Sequence, residues 1–222
     1  MNSSRTTAPA AASETTGAPK ALLSAGVIAG PLYVGVGLFE AFTRPGYDLT
    51  RHSLSLLANG DLGWVHILML VTAGLLTIAG AIGLRQAIGR SRAPMLIGLY
   101  GAGLVAAGFL TADPALGFPP GTPDGPPAVY SWHGIGHFVA GAVGFLCLIA
   151  ACFVMARRLR ARGHGGWAVY SIATGIAFLA GFVGIASGNQ SPTINLAFGA
   201  AVVVAWTWIT LIFARARTEL ES

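Results

Sequence analysis

From residue 21 onward, long apolar runs alternate with short polar stretches, and six of the runs are long enough to cross a hydrocarbon core. A helix needs about 20 residues for that crossing. The runs are Ala21–Thr43, Trp64–Leu84, Pro94–Ala112, Trp132–Ala156, Trp167–Ser187 and Ile194–Ala214. Trp64, Trp132 and Trp167 each open a run, which predicts interfacial anchors at headgroup depth. Residues 1–20 are rich in Ala, Ser, Thr and Pro without apolar periodicity, so a disordered cytoplasmic tail is expected there. The run that follows is too long for the apolar region of a signal peptide and reads as an uncleaved first span. The pattern predicts an all-α polytopic membrane bundle over 21–214, closed by a short cytoplasmic tail at 215–222.

Composition strengthens this reading. The chain is 54% hydrophobic and only 9% charged, with 31 glycines among 222 residues, and its mean hydropathy is +0.68. Soluble domains carry about 25% charged residues, so so few charges could not cover a water-facing surface. Abundant small residues suit helices packed closely in lipid.

The net charge of +5 would by itself suggest a nucleic-acid partner. Position argues against it, because the basic residues cluster beside the ends of the apolar runs. That is the pattern of topology signals and anionic-lipid contacts. Eleven of the thirteen Lys and Arg residues fall in the two tails and the loops at 85–93 and 157–166, while the other loops hold only Arg44 and Arg51. By the positive-inside rule both termini are cytoplasmic, and a bacterial inner membrane is the expected location. The two cysteines, Cys147 and Cys152, fall inside one apolar run and read as buried thiols.

The reactive side chains collect on the opposite, extracytoplasmic side. The stretch RPGYDLTRHSLSLLANGDLGW, residues 44–64, holds Asp48, Arg51 and His52 at i, i+3 and i+4, one face of a short helix. Leu54, Leu56 and Leu57 would let that segment lie at the lipid interface. The alternative is that Asp48 caps a turn and pairs with Arg51 to shape the loop. Farther on, Asp113-Pro114 stops the third span, and the proline-rich stretch after it forms a stiff connector. A carboxylate at that depth needs a partner.

His133 and His137 share one face of the fourth span at i, i+4. With Asp113 they form a candidate zinc set; a metal-free acid–base pair and plain structural hydrogen bonding are the alternatives. Glu40 has Arg44 one turn away as its partner, and Tyr33 and His66 are candidates to line the same space. Glu40, Tyr47, Trp64 and Trp132, with Arg51, are candidate substrate contacts in an extracytoplasmic polar pocket roofed by the loops at 44–63 and 113–131. Asn189, Gln190 and Asn195 could add hydrogen bonds from the last outer loop. No phosphate-gripping glycine motif or nucleophile elbow occurs.

PGYDLTRHSLSLLANGDLGW, FLTADPALGFPPGTP and SWHGIGH, in that order, resemble the three blocks of a bacterial membrane family called domain of unknown function 998. The resemblance covers residues 21–185 and rests on Gly46, Tyr47, Asp48, Arg51, His52, Ser55, Gly63, Trp64, Asp113, Pro114, His133 and His137. It implies a bundle of about six helices and no particular reaction. GNQSPTINL, before the sixth span, matches none of those blocks.

Three functions fit this sequence. The first is an intramembrane enzyme acting on a lipid or isoprenoid-like substrate by acid–base chemistry. There Asp48, His52, Asp113, His133 and His137 would be catalytic, with Arg51 an anion contact. The second is a non-catalytic lipid-binding protein. The third is a small transporter in which Pro31 breaks the first helix. A zinc-dependent hydrolase is a variant of the first.

Overall fold

The structure is a computed structural model that describes residues 10–188 and 191–221. It has six α-helices and, among the described residues, no strand: α1 (Ala10–Thr43), α2 (Gly63–Ile88), α3 (Ala93–Phe109), α4 (Trp132–Ala161), α5 (Gly165–Ala186) and α6 (Pro192–Glu219). Five of them contain an apolar window long enough to span a membrane, and α3 is a shorter apolar helix. At a rise of 1.5 Å per residue, its 17 residues reach about 26 Å. Leu110 to Ala112 continue inward as non-helical chain, with Ala112 buried.

Two boundaries differ from the sequence expectation. α1 starts at Ala10 rather than Ala21, so half of the expected tail is helical. α1 also runs through Pro19 and Pro31 as one element, so the broken first helix that a transporter reading invoked is not there.

Each helix packs against its neighbours in the chain, and α6 returns to α1, so the six form a closed ring in sequence order. α2 and α6 also touch across it. The α1–α2 crossing is close enough that a Cβ on Gly80 would stand 2.7 Å from the Gly26 Cα. Helices in lipid gain from such backbone approach, since apolar side chains have nothing to gain by leaving a solvent equally apolar.

Large apolar side chains such as Phe39, Phe42, Leu68, Leu75, Phe109 and Ile135 face outward, the arrangement expected when the solvent is lipid. An apolar core that includes Leu23, Leu84, Ile97, Leu148, Trp206, Ile209 and Phe213 packs inside the ring. Both thiols are free, Cys152 buried and Cys147 partly so.

The two ends of the ring differ. At one end lie the arginines, where Arg158 donates to the Ile88 carbonyl at 2.5 Å and Arg215 lies over the Trp167 ring. At the other end the loops at 44–62 and 110–131 fold over the bundle. Leu56, Leu57, Ala112 and Phe118 form a second small apolar core there. Leu54–Ala58 is a short 3-10 helix within it. Leu56 and Leu57 are therefore buried inside the roof, not spread on the lipid surface as the sequence suggested.

Candidate functional site

Under this roof the ring is not filled. A cavity of about 320 Å³ opens between α1, α4 and α6, with an almost wholly apolar lining that includes Leu38, Phe145, Phe198 and Val203. Its polar groups are few: Tyr33 from α1, His52, Ser53 and Ser55 from the roof, His137 from α4 and Asn195 from α6. A smaller cavity of about 60 Å³ lies on the α2–α3 side and shares Tyr33, Ser55, His137, Gly141 and Phe145 with the larger one. The two cavities lie side by side along these shared residues and together are called the cleft. Tyr33 of this lining stacks on Trp206 at 4.7 Å between ring centroids, and Trp206 lies 5.6 Å from Tyr100 of the smaller cavity. Among the described residues, neither part of the lining contains Lys or Arg.

The sequence-predicted residues divide into those that shape the roof and those that face the cleft. Asp48 shapes the roof. Its Oδ1 accepts from the Thr50 backbone at 2.8 Å and the Thr50 hydroxyl at 2.7 Å. These two bonds hold its exposed carboxyl below the usual carboxylate range, with a smaller push the other way from desolvation. Its backbone carbonyl accepts from Arg51 and His52, so the segment is a capped turn and not the short helix its spacing suggested. Arg51 does not pair with Asp48. It reaches Asp124 of the second loop at 3.1 Å, both groups exposed.

His52 lines the cleft but has both ring nitrogens engaged. Nδ1 accepts from the Asp48 N–H at 2.9 Å, which leaves Nε2–H to donate to the Leu116 carbonyl at 3.0 Å. That fixes a neutral tautomer and ties the first loop to the second. Tyr47 donates to the His52 carbonyl at 2.9 Å and packs edge-on against Phe118. Burial, then the nearby Tyr33, Asp48 and Glu40, push its phenol well above the ordinary range. Asn195 donates to Thr50 O at 3.1 Å and anchors the roof to α6. Asn189 and Gln190 lie outside the described residues.

Asp113 and His133 organise the start of α4. The Asp113 carboxylate accepts from the Ser131 N–H at 3.0 Å and the Ser131 hydroxyl at 2.6 Å. Ser131 in turn caps α4 by accepting from Gly134 N. Desolvation pulls the Asp113 pKa up, but the Ser131 bonds and His133 together outweigh it and leave the group lowered. His133 Nδ1 lies 2.8 Å from Thr111 O, and its Nε2 is 4.0 Å from Asp113. Neither residue lines the cavity of about 320 Å³, though Asp113 borders a shallow recess beside Ser53 and Ser55.

His137 is one turn deeper and does face the cleft. Its Nδ1 donates to the Ala107 and Leu110 carbonyls at 3.1 and 2.8 Å, the carbonyls that α3 leaves open where it ends. Two histidines on one face thus serve different spaces. Among the described residues no three His, Cys, Asp or Glu side chains are grouped to hold a metal ion, so His133, His137 and Asp113 do not assemble the zinc set their spacing suggested. Trp64 and Trp132 are exposed on the outer surface and do not touch the cleft.

The sequence pointed to the Glu40–Arg44 pair, and the structure adds a third member to it. Glu40 and Arg44 lie 3.3 Å apart and both are buried. Arg44 also donates to the Leu57 and Asn59 carbonyls at 3.2 and 2.6 Å, fastening the roof to α1. Glu40 Oε2 takes His66 Nδ1 at 2.8 Å. The His66 side chain is fully buried and lines the smaller cavity.

Compared with known proteins, residues 27–215 match a family model described as "Protein of unknown function (DUF998)". That range takes in α6 as well as the three motif blocks. Neither the curated proteins nor the solved structures gave a match.

Proposed function

This membrane-spanning helical chain belongs to the DUF998 family, and from that premise we propose that its ring of helices holds a lipid-like amphiphile and is equipped for acid–base chemistry on it. One observation carries the reading: an apolar cavity of about 320 Å³ within the bundle, with its few polar groups gathered beneath the roof. A volume of that order suits a small ligand, and a mostly apolar wall with a few polar groups is how such sites usually fix orientation. The chain of the ligand lies along Leu38, Phe145, Phe198 and Val203, and its polar end meets His137.

His137 is the acid–base group of this reading. Nδ1 donates to two carbonyls, so the neutral ring presents its lone pair on Nε2, the form a general base requires. Both nitrogens of His52 are engaged, so it positions the roof. Arg51 faces Asp124 rather than the cleft, and with no Lys or Arg in the lining the favoured polar end is uncharged.

The test is native mass spectrometry of protein purified in mild detergent, with and without Gly141→Leu. Gly141 lines both parts of the cleft and has open space where a Cβ would stand, so the leucine fills the cavity without a clash. A lipid-sized adduct on the wild type that Gly141→Leu loses is the expected result. An adduct retained equally by both proteins would contradict the cleft as its site. Turnover of the identified lipid, lost in His137→Phe, would then separate an enzyme from a binding protein.

On this reading the arginine end is cytoplasmic and the roof extracytoplasmic, in a bacterial inner membrane, and the bias of basic residues supports that orientation. A cysteine introduced at Thr122, in a background lacking Cys147 and Cys152, should react with an impermeant maleimide on intact spheroplasts. Reaction only after lysis would reverse the orientation.

A further inference from the structure

We infer that the smaller cavity, lined by His66 with Glu40 behind it, is the subsite for a ligand hydroxyl, which makes a lipid alcohol the chemical class this cleft takes. The inference rests on the reading of the larger cavity as a lipid site and goes further by assigning the polar end.

Three observations carry it. First, His66 is fully buried, and its Nε2 has no hydrogen-bond partner among the described residues. A buried polar atom left open loses the hydrogen bond it would have made to water, at a cost of about 1–3 kcal/mol, unless a ligand restores the bond. Second, His66 stands on the wall of a cavity of about 60 Å³ that also reaches Tyr33, Tyr100 and His137. That is room for a hydroxymethyl group or a few waters but not for a bulky headgroup. Third, this cavity adjoins the larger one, with Tyr33, Ser55, His137, Gly141 and Phe145 lining both, so a chain lying in the larger space has its end beside this one.

The electrostatics select a hydroxyl over an anion. Glu40 is paired at one oxygen with Arg44 and at the other with His66 Nδ1. Glu40 and Arg44 balance one another, so a protonated His66 would be an uncompensated cation buried in the same cluster. The neutral ring donates from Nδ1 to Glu40 and carries its lone pair on Nε2. An acceptor in that position takes an O–H. A phosphate or carboxylate would meet it lone pair to lone pair, and Arg44 is already committed to Glu40, Leu57 O and Asn59 O. Glu40 orients the imidazole, as a carboxylate does in other histidine dyads, and makes Nε2 a better acceptor. His137 faces both cavities and flanks the same hydroxyl.

The experiment compares farnesol with farnesyl methyl ether, which share a chain and differ in the O–H. Binding to the detergent-purified protein is measured by the change in tryptophan fluorescence, with Trp206 stacked on the lining residue Tyr33. Farnesol is expected to bind at least 10-fold more tightly than the ether to the wild type, and His66→Phe should abolish that preference. His66→Gln, which keeps an acceptor, should retain part of it. Equal affinity of both compounds, blocked by Gly141→Leu, would overturn the hydroxyl subsite while the cleft stands. Failure of both to bind would overturn the subsite together with the lipid cleft beneath it.

Discussion

Asp113 shows how a single side chain can look catalytic in sequence and act as architecture in the fold. An aspartate before proline at the end of an apolar run is a strong signal, and its partner was expected to be a histidine. The structure gives it Ser131 as chief partner, with His133 at 4.0 Å, and so makes it the second link of a helix cap. Its folded pKa is lowered, so its contribution to stability is present above the usual carboxylate range and is lost as pH falls through the folded value. Asp113→Ala should cost about 1–2 kcal/mol at neutral pH. In thermal denaturation in detergent, the gap between variant and wild type should close in acid. A gap that stays constant with pH would show that the carboxylate charge plays no part. Glu40 and Arg44 were legible because i, i+4 spacing is local. His66, 26 residues farther on, joined them only through the helix crossing, which no short-range pattern encodes.

At the scale of elements, the six helices were legible because length and apolar content are what a bilayer demands of a span. The roof was harder to read. Leucines at 54, 56 and 57 fit an interfacial segment as well as a buried 3-10 helix, and only the second loop folding over them distinguishes the two. The start of α1 was also misplaced, since an Ala/Ser/Thr-rich stretch carries no apolar stripe whether or not it is helical. Glycines were read correctly as packing residues in general, but their individual roles differ. At Gly80 a Cβ would stand 2.7 Å from the Gly26 Cα and equally close to the Phe213 ring, whereas at Gly199 nothing lies within 4 Å. Gly80→Leu should therefore separate α1 from α2 and abolish monodisperse protein in size-exclusion chromatography. Gly199→Leu, on the cleft wall, should shift stability by no more than about 0.5 kcal/mol. The opposite ranking would mean that the crossing is not as close as described.

The whole molecule is a ring closed by α6 returning to α1, and the cleft exists because the ring is wider at the roofed end than its side chains can fill. Closure between the first and last helices is the longest-range feature of the chain, so the sequence pattern suggested a polar pocket beneath the loops but not the apolar cavity between α1, α4 and α6. The candidate side chains read from the loops, Asp48, Arg51 and Tyr47, hold the roof together. His137 faces the interior from the fourth helix, and His66 does so from the second. The most direct measurement is a crystal structure grown from a lipidic mesophase, compared with that of Gly141→Leu. Continuous elongated density between α1, α4 and α6, ending within hydrogen-bond distance of His137 and missing from the variant, is the expected result. A wild-type interior closed by side chains, with the same density in neither crystal, would contradict a ligand-binding cleft.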